Sequence, residues 1–329
     1  MRSPEVSSVL SRAGALARLQ LEVTHRLDGL IHGDFLGLAA GPGSEVSDAR
    51  PYTPGDDARR IDWNLTARSA EIHTRVTEPD RELEMWIVAD RSASLDFGTA
   101  RHEKRDLVVA AAAAFGLRTI GHRNRIGLLI VGGDRLRVFP PRPDRRSLLG
   151  ALSAVNVSDR QTRQPDRGAD LDAGLMWLRR TSRRRGVVVI VSDFLDNAPW
   201  PSSVRQLALR HDVIAVQVVD PRELELPSVG LLSMVDNETG VVLHVQTSSA
   251  RLRERYRCAA LERHEGIRSS LRGAGASQVV LSTDRDWVVD IARFLSERHE
   301  RRVLRSPALR RSGPFQHPGS RRPVPEPAR

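Results

Sequence analysis

A carboxylate and two hydroxyls stand two residues apart where an apolar strand pattern stops: Asp90, Ser92 and Ser94. The run before them, Leu83–Ala89 (LEMWIVA), is short and β-prone, and a long helical pattern follows Phe97-Gly98. Hard oxygen ligands at this spacing hold Mg2+ or Ca2+, with waters completing the shell. The carboxyl edge of a parallel sheet is also where open α/β folds place their ligands. A second apolar run, Gly186–Ser192 (GVVVIVS), ends in Asp193, so two strand ends can bring both carboxylates to one crevice. Asp170 or Asp172, after Arg167-Gly168, can join them. The same residue types also cap helices and shape turns, and the spacing alone does not choose between the two uses.

The elements that must position these groups follow from periodicity. Leucines and a valine recur at helical spacing over 8–31, residues 33–55 are rich in turn formers, and 70–80 alternate like a strand. From Leu83 the rhythm becomes strand and helix in alternation. Strands are expected at Leu83–Asp90, Ile126–Val131, Leu136–Phe139, Gly186–Ser192, Asp212–Val219 and Gln278–Leu281. The second and third of these join through Gly132-Gly133-Asp134-Arg135, a tight-hairpin signal. Helices are expected at Arg101–Ile120, Asp144–Val155, Asp170–Arg180, Ser202–Arg210, Ala250–Leu271 and Trp287–Arg298, with a hairpin of Leu231–Val235 and Val241–Val245. This alternation predicts an α/β fold, a doubly wound and mostly parallel sheet with helices on both faces. The organisation is an N-terminal accessory region over 1–81, the α/β domain over 82–300, and an Arg/Pro-rich disordered tail over 301–329.

Bulk composition narrows the function. The chain has 329 residues and is 40% hydrophobic but only 4% aromatic, so its core is aliphatic. One cysteine, Cys258, allows no internal disulfide. No apolar leader and no run of roughly 20 apolar residues is present, which points to the cytoplasm. The net charge of +10 gathers in the tail, which holds eight arginines against one acid. Membrane contact by that tail is a weaker expectation than a solubilising role. A single lysine, Lys104, stands against fifty arginines. Nucleic acid is disfavoured as a partner for want of aromatic stacking platforms.

One upstream segment is more specific. Arg50-Pro51-Tyr52-Thr53-Pro54-Gly55-Asp56-Asp57-Ala58-Arg59-Arg60-Ile61-Asp62-Trp63, running on to Thr66-Ala67-Arg68, resembles the signature of the bacterial family called domain of unknown function fifty-eight. The Phe97-Gly98, Lys104 and Ser192-Asp193-Phe194-Leu195 positions fit as well, so the resemblance spans roughly 25–300. Asp90-x-Ser92-x-Ser94 with Ser192-Asp193 is similar to the metal-ion-dependent adhesion site of von Willebrand factor A domains. The resemblance implies a sheet of that type and a divalent cation, Mg2+ or another, on Asp90, Ser92, Ser94, Asp193 and Asp170. It also implies a partner, a MoxR-type AAA+ ATPase, in a chaperone-like assembly. One departure stands out: the family's threonine in G-T-D-L is Ala169 here, which removes a hydroxyl ligand.

The signature segment has a reading of its own. Pro54-Gly55-Asp56 signals a turn. Asp56, Asp57 and Asp62 lie among Arg59, Arg60 and Arg68, where carboxylate–guanidinium pairs can lock a loop. Tyr52 and Trp63 supply apolar bulk, and Trp63 is expected to anchor the segment by burial. The segment is thus a structural latch onto the sheet or a partner-facing surface.

No G-x-x-x-x-G-K-[ST], H-E-x-x-H, paired C-x-x-C or G-x-S-x-G occurs, and no small-molecule substrate is indicated. The expectation is therefore a non-enzymatic, metal-assisted protein-binding adaptor. The rivals are a Mg2+/Mn2+-dependent hydrolase and a scaffold whose metal site has decayed through Ala169.

Overall fold

The computed structural model of the protein describes residues 26, 45–53, 58–69, 71–78, 83–120, 124–132, 135–156, 170–196, 198–235 and 241–305. The helix expected over 8–31 (Arg26 apart), the Pro54–Asp57 turn, Ala169 and the tail beyond 305 lie outside these residues.

In chain order the elements begin with β1 (Glu45–Pro51), a 3-10 turn at Ala58–Arg60, α1 (Trp63–Thr66) and β2 (His73–Glu78). There follow β3 (Glu84–Asp90), α2 (Lys104–Thr119), β4 (Arg125–Val131), β5 (Arg137–Arg142), α3 (Arg145–Asn156) and α4 (Leu171–Thr181). The second half holds β6 (Gly186–Ser192), α5 (Trp200–Ala208), β7 (Asp212–Val219), α6 (Pro221–Leu224), β8 (Leu231–Val235) and β9 (Val242–Gln246). It closes with α7 (Ala250–Gly273), β10 (Ser277–Ser282) and α8 (Trp287–Arg305).

Six strands form one sheet in the order β10-β7-β6-β3-β4-β5. All neighbours are parallel except β4 and β5. This is the doubly wound, mostly parallel sheet the alternation predicts. Its central strands are covered on both faces, so they read as unbroken apolar runs rather than alternating ones. Val187 to Val191 are all fully buried, and each such side chain contributes about 1.5–3 kcal/mol over an exposed one.

The pleat of β3 shows how the faces divide. Met85, Ile87 and Ala89 pack with α2, α3 and α8. Trp86 and Val88 pack with α4, α5 and α7. Helix α2 lies deepest. Its run Ala110–Ala114 is buried throughout, because a helix that is apolar all round is one enclosed all round.

Three boundaries move. The antiparallel strand β5 runs on through Pro140-Pro141 to Arg142, which an edge strand tolerates because one side needs no ladder hydrogen bond. Helix α5 starts at Trp200, with Pro201 in its first turn, where a missing N–H costs nothing. Helix α8 continues to Arg305, past the expected end of the domain at 300.

Two small sheets stand apart: the antiparallel pair β1–β2 and the hairpin β8–β9. The hairpin exposes Leu231, Val235, Val242 and Leu243. No helix among the described residues is long and apolar enough to cross a membrane.

Candidate functional site

Strand order fixes where a ligand site can form. From β3 the chain moves outward to β4 and β5, then returns to lay β6 on the other side of β3. The crevice beyond the carboxyl ends of β3 and β6 is therefore the topological switch point. Asp90 ends β3, and Ser192-Asp193 ends β6.

These groups meet. The Ser192 hydroxyl donates to Asp90 Oδ2 at 2.6 Å, and the Ser92 N–H donates to Asp90 Oδ1 at 2.8 Å. That second bond folds the chain into a side-chain-closed turn, which brings the hydroxyls of Ser92 and Ser94 to 3.0 Å from one another. Gly132, at the end of β4, makes room for this turn. Its φ is +82°, and a Cβ there would lie 2.2 Å from the Ser92 nitrogen and 2.8 Å from Asp90 Oδ1.

The loop after β6 is held as firmly. The Ser192 hydroxyl oxygen accepts the Phe194 N–H at 2.9 Å, and Asp193 Oδ1 accepts the Leu195 N–H at 3.1 Å. Phe194 takes a φ of 58°, a left-handed conformation that costs a bulky residue about 1–3 kcal/mol. Its buried ring offsets this by packing on Trp200, with centroids 5.1 Å apart. The bend turns Asp193 inward, and its Oδ2 accepts a hydrogen bond from Lys104 Nζ at 2.7 Å.

Lys104, the single lysine and a family-like position in the sequence, stands at the centre of the structure. It is fully buried at the start of α2 and also donates to Glu223 Oε1 at 2.5 Å. Burial pulls its pKa down, but Asp193 and Glu223 more than reverse this and keep the ammonium above its ordinary range. An ammonium suits such a point, being compact and able to donate in several directions, where a guanidinium demands a planar fork.

Asp90 has the opposite problem. Burial, with Asp193 beside it, pushes its pKa from 3.8 up to about 6, against the hydrogen bonds from Ser192 and Ser92. The crevice thus gathers two carboxylates and three hydroxyls, with the Lys104 ammonium on the Asp193 side. Such a hard-oxygen set fits a divalent cation. Among the described residues no cluster of three or more His, Cys, Asp or Glu supplements it.

Asp170 does not come into contact with this group. Its Oδ1 accepts the Ala173 N–H at 2.6 Å, so it serves as the N-cap of α4 and is exposed. A carboxylate at that position stabilises the helix start, and this is the use the structure shows. Asp172 is buried in the first turn of α4, with one carboxylate oxygen lacking a hydrogen-bond partner.

A neighbouring cluster went unforeseen. Asp220, at the end of β7, is fully buried and accepts four hydrogen bonds. They come from the Thr99 N–H (2.8 Å) and hydroxyl (2.6 Å), the Thr283 hydroxyl (2.6 Å) and the Arg222 N–H (2.9 Å). It thereby ties the loop after β3 to the ends of β7 and β10. Burial works to raise its pKa, but the bonds from Thr283 and Thr99 prevail and hold it below the usual carboxylate value. Its stabilisation is therefore present above pH 3.8 and lost as pH falls through its lower folded value. Asp220→Ala should lose ~3 kcal/mol or more in urea unfolding at neutral pH, with the gap to the wild type narrowing in acid. A loss under about 0.5 kcal/mol at neutral pH would overturn this role.

The signature segment is tied by backbone hydrogen bonds to the start of β2 and the residue before it. The Asp62 N–H donates to His73 O at 2.8 Å and the Tyr52 N–H to Ile72 O at 2.7 Å. Asp62 caps α1 through the Asn64 and Leu65 N–H groups, both at 3.1 Å. Arg59 is exposed, and Arg68 is exposed with no ion pair among the described residues. Gly55, Asp56 and Asp57 lie outside the described residues. The expected anchoring of Trp63 is corrected: its side chain is 68% exposed, with Leu65 and Ile72 exposed nearby in the chain. The short helix α1 has no buried face into which Trp63 could turn. Hydrogen bonds of Tyr52 and Asp62 therefore contribute to holding the segment where tryptophan burial does not.

Sequence comparison identifies the family that carries this segment together with the crevice. The family described as Protein of unknown function DUF58 matches residues 48–266. The chain belongs to that family. Among its relatives, "Uncharacterized protein Rv1480" of Mycobacterium tuberculosis and "Uncharacterized protein Mb1516" of Mycobacterium bovis are each 46% identical over 286 residues. That span covers 87% of this DUF58 chain and 89% of the relative in both cases. Among solved structures, BatB from Bacteroides thetaiotaomicron is 12% identical with a TM-score of 0.41, covering 66% of this chain and 99% of its own. The SpRpn10 VWA domain is 14% identical with a TM-score of 0.31, covering 69% and 96%. No function is carried over from likenesses at these scores, and the doubly wound, mostly parallel fold of this DUF58 chain rests on its own strand order.

Proposed function

We propose that the protein is a non-enzymatic protein-binding adaptor acting in the cytoplasm through the crevice at the ends of β3 and β6. The observation that carries this is the convergence of Asp90, Ser92, Ser94 and Asp193 at the switch point, with the Ser92 and Ser94 hydroxyls 3.0 Å apart beside a carboxylate whose pKa is raised. Ser92 and Ser94 would hold Mg2+ or another divalent cation, with Asp90 and Asp193 binding it directly or through water. The cation would supply attraction for an acidic side chain of the partner. A MoxR-type AAA+ ATPase is the partner that the family resemblance implies. Outward-facing Trp63 offers a second contact, since exposed aromatic side chains are favoured anchors in interfaces.

Capture of partners from the native lysate, with Mg2+ and with chelator, tests this reading. An AAA+ ATPase retained with Mg2+ and lost with chelator or in Asp90→Ala is the expected result. The same ATPase in all three conditions would retire the metal but keep the adaptor. Recovery of no ATPase would overturn the proposed partner. The scaffold without metal remains the second reading, because Ala169 removes one hydroxyl and Lys104 already engages Asp193.

A further inference from the structure

The opposite edge of the sheet carries the reverse charge. There α4 and α5 end and β3, β6 and β7 begin, and a cleft of about 470 Å³ opens between the helix ends. Arg179, Arg180 and Arg210 line it, with Leu207 and Leu209 as its apolar part. The loop that follows α4 carries two further exposed arginines, Arg183 and Arg185, outside the lining of the cleft. Helix C-termini favour cations by about 0.3–1 kcal/mol, which accounts for Arg179 and Arg180. It does not account for Arg183, Arg185 and Arg210, which lie beyond the helices.

Some arginines of the protein find carboxylates, as Arg257 does with Glu254 and Arg105 with Glu103. Here none of the five guanidinium groups makes an ion pair or hydrogen bond among the described residues. The carboxylates of this edge are already engaged. Asp212 pairs with Arg298, and Glu84 accepts from Trp86 Nε1 and the Ser182 hydroxyl. The cleft also exposes apolar surface: Leu209 is 81% exposed.

We infer that this cleft docks an acidic peptide segment of a partner protein, one that carries an apolar side chain beside its carboxylates. Unpaired guanidinium forks match carboxylates in geometry as well as charge. Leu209 gives the apolar side chain a place that a phosphate backbone would not use. Single-stranded nucleic acid is matched by grooves with aromatic platforms, whereas no Phe, Tyr or Trp lines this cleft and its one ring, His211, is buried. Because the cleft lies at the edge opposite Asp90, one chain can hold two partners at once without overlap.

Fluorescence anisotropy of the full chain with a labelled peptide of alternating Glu and Leu tests the inference. Saturable binding that weakens with salt is expected. Arg180→Glu with Arg210→Glu should weaken it about tenfold or more, Leu209→Ser should weaken it about threefold, and Asp90→Ala should leave it unchanged. All the altered arginines and Leu209 are exposed, so circular dichroism melts should match the wild type. No peptide binding by the wild type, or equal binding by the charge-reversed variant, overturns the proposal. So does tighter binding of labelled oligothymidylate than of peptide. Self-association abolished by the same substitutions, without peptide binding, would replace the partner with a second copy of the chain and overturn it too. Loss of binding in Asp90→Ala alone would assign the peptide to the crevice instead.

Discussion

Lys104→Met is expected to be the most destabilising single substitution in the protein, lowering stability by roughly 3–5 kcal/mol. The side chain is fully buried, and its ammonium is held by Asp193 at 2.7 Å and Glu223 at 2.5 Å. Methionine has nearly the same length and no charge, so the change removes the cation without opening a large cavity. What remains is a pair of negative groups without their cation, one fully and one largely buried, with Asp90 nearby. Removing one partner of a buried ion pair leaves an uncompensated charge, which is why such losses exceed the net value of the intact pair. Thermal melts at neutral pH should show a drop of about 10 °C or more. The triple variant Lys104→Met, Asp193→Asn, Glu223→Gln should recover much of the loss, because it removes the stranded charges as well. A single variant within about 1 kcal/mol of the wild type would mean that the ammonium carries no such weight.

Asp90→Asn should have the opposite sign. The Asp90 carboxyl has a pKa of about 6 against 3.8 when unfolded. Between these values the folded state holds a proton that the unfolded state has released, so stability falls as pH rises across that window. What Asp90 contributes is thus fully present below pH 3.8 and lost as pH rises through about 6. Two units correspond to about 3 kcal/mol as an upper bound. Asn keeps the shape of the group and cannot ionise, so the variant should gain on the wild type from pH 4 upward and level off near pH 7. Urea unfolding across that range reads the effect. Mg2+ adds a second axis: a cation bound only by the folded state must stabilise it, so added Mg2+ should raise the wild type and leave Asp90→Asn unmoved. Parallel pH profiles for the two proteins would rule out the charge conflict at Asp90.

The sequence made the sheet legible because its central strands are enclosed on both faces. Runs such as Gly186–Ser192 and Asp212–Val219 can hardly be anything but buried parallel strands once helical patterns separate them. The ends of two such runs then placed Asp90 and Asp193 together, since the switch point follows from strand order. The groups that were not legible act through tertiary contact. Asp220 looks like any residue that ends a strand, and only folding brings Thr99 and Thr283 to it from far along the chain. Lys104 carried a compositional signal, being the one lysine in the chain, but nothing local tells a buried ammonium from a solvated one. Trp63 misled for a related reason. Bulk usually means burial, but a four-residue helix beside a two-stranded sheet has no interior to offer.

The solitary lysine has a practical corollary. Apart from the α-amino group, the only primary amine in the chain is sealed at the base of the crevice. An amine-acylating reagent can therefore reach a side chain only in molecules whose crevice has opened. The rate at which the mass of the peptide containing Lys104 shifts becomes a clock for that opening, read at one position against a silent background. Occupants of the crevice should slow this clock, while peptides bound at the arginine edge should leave it running.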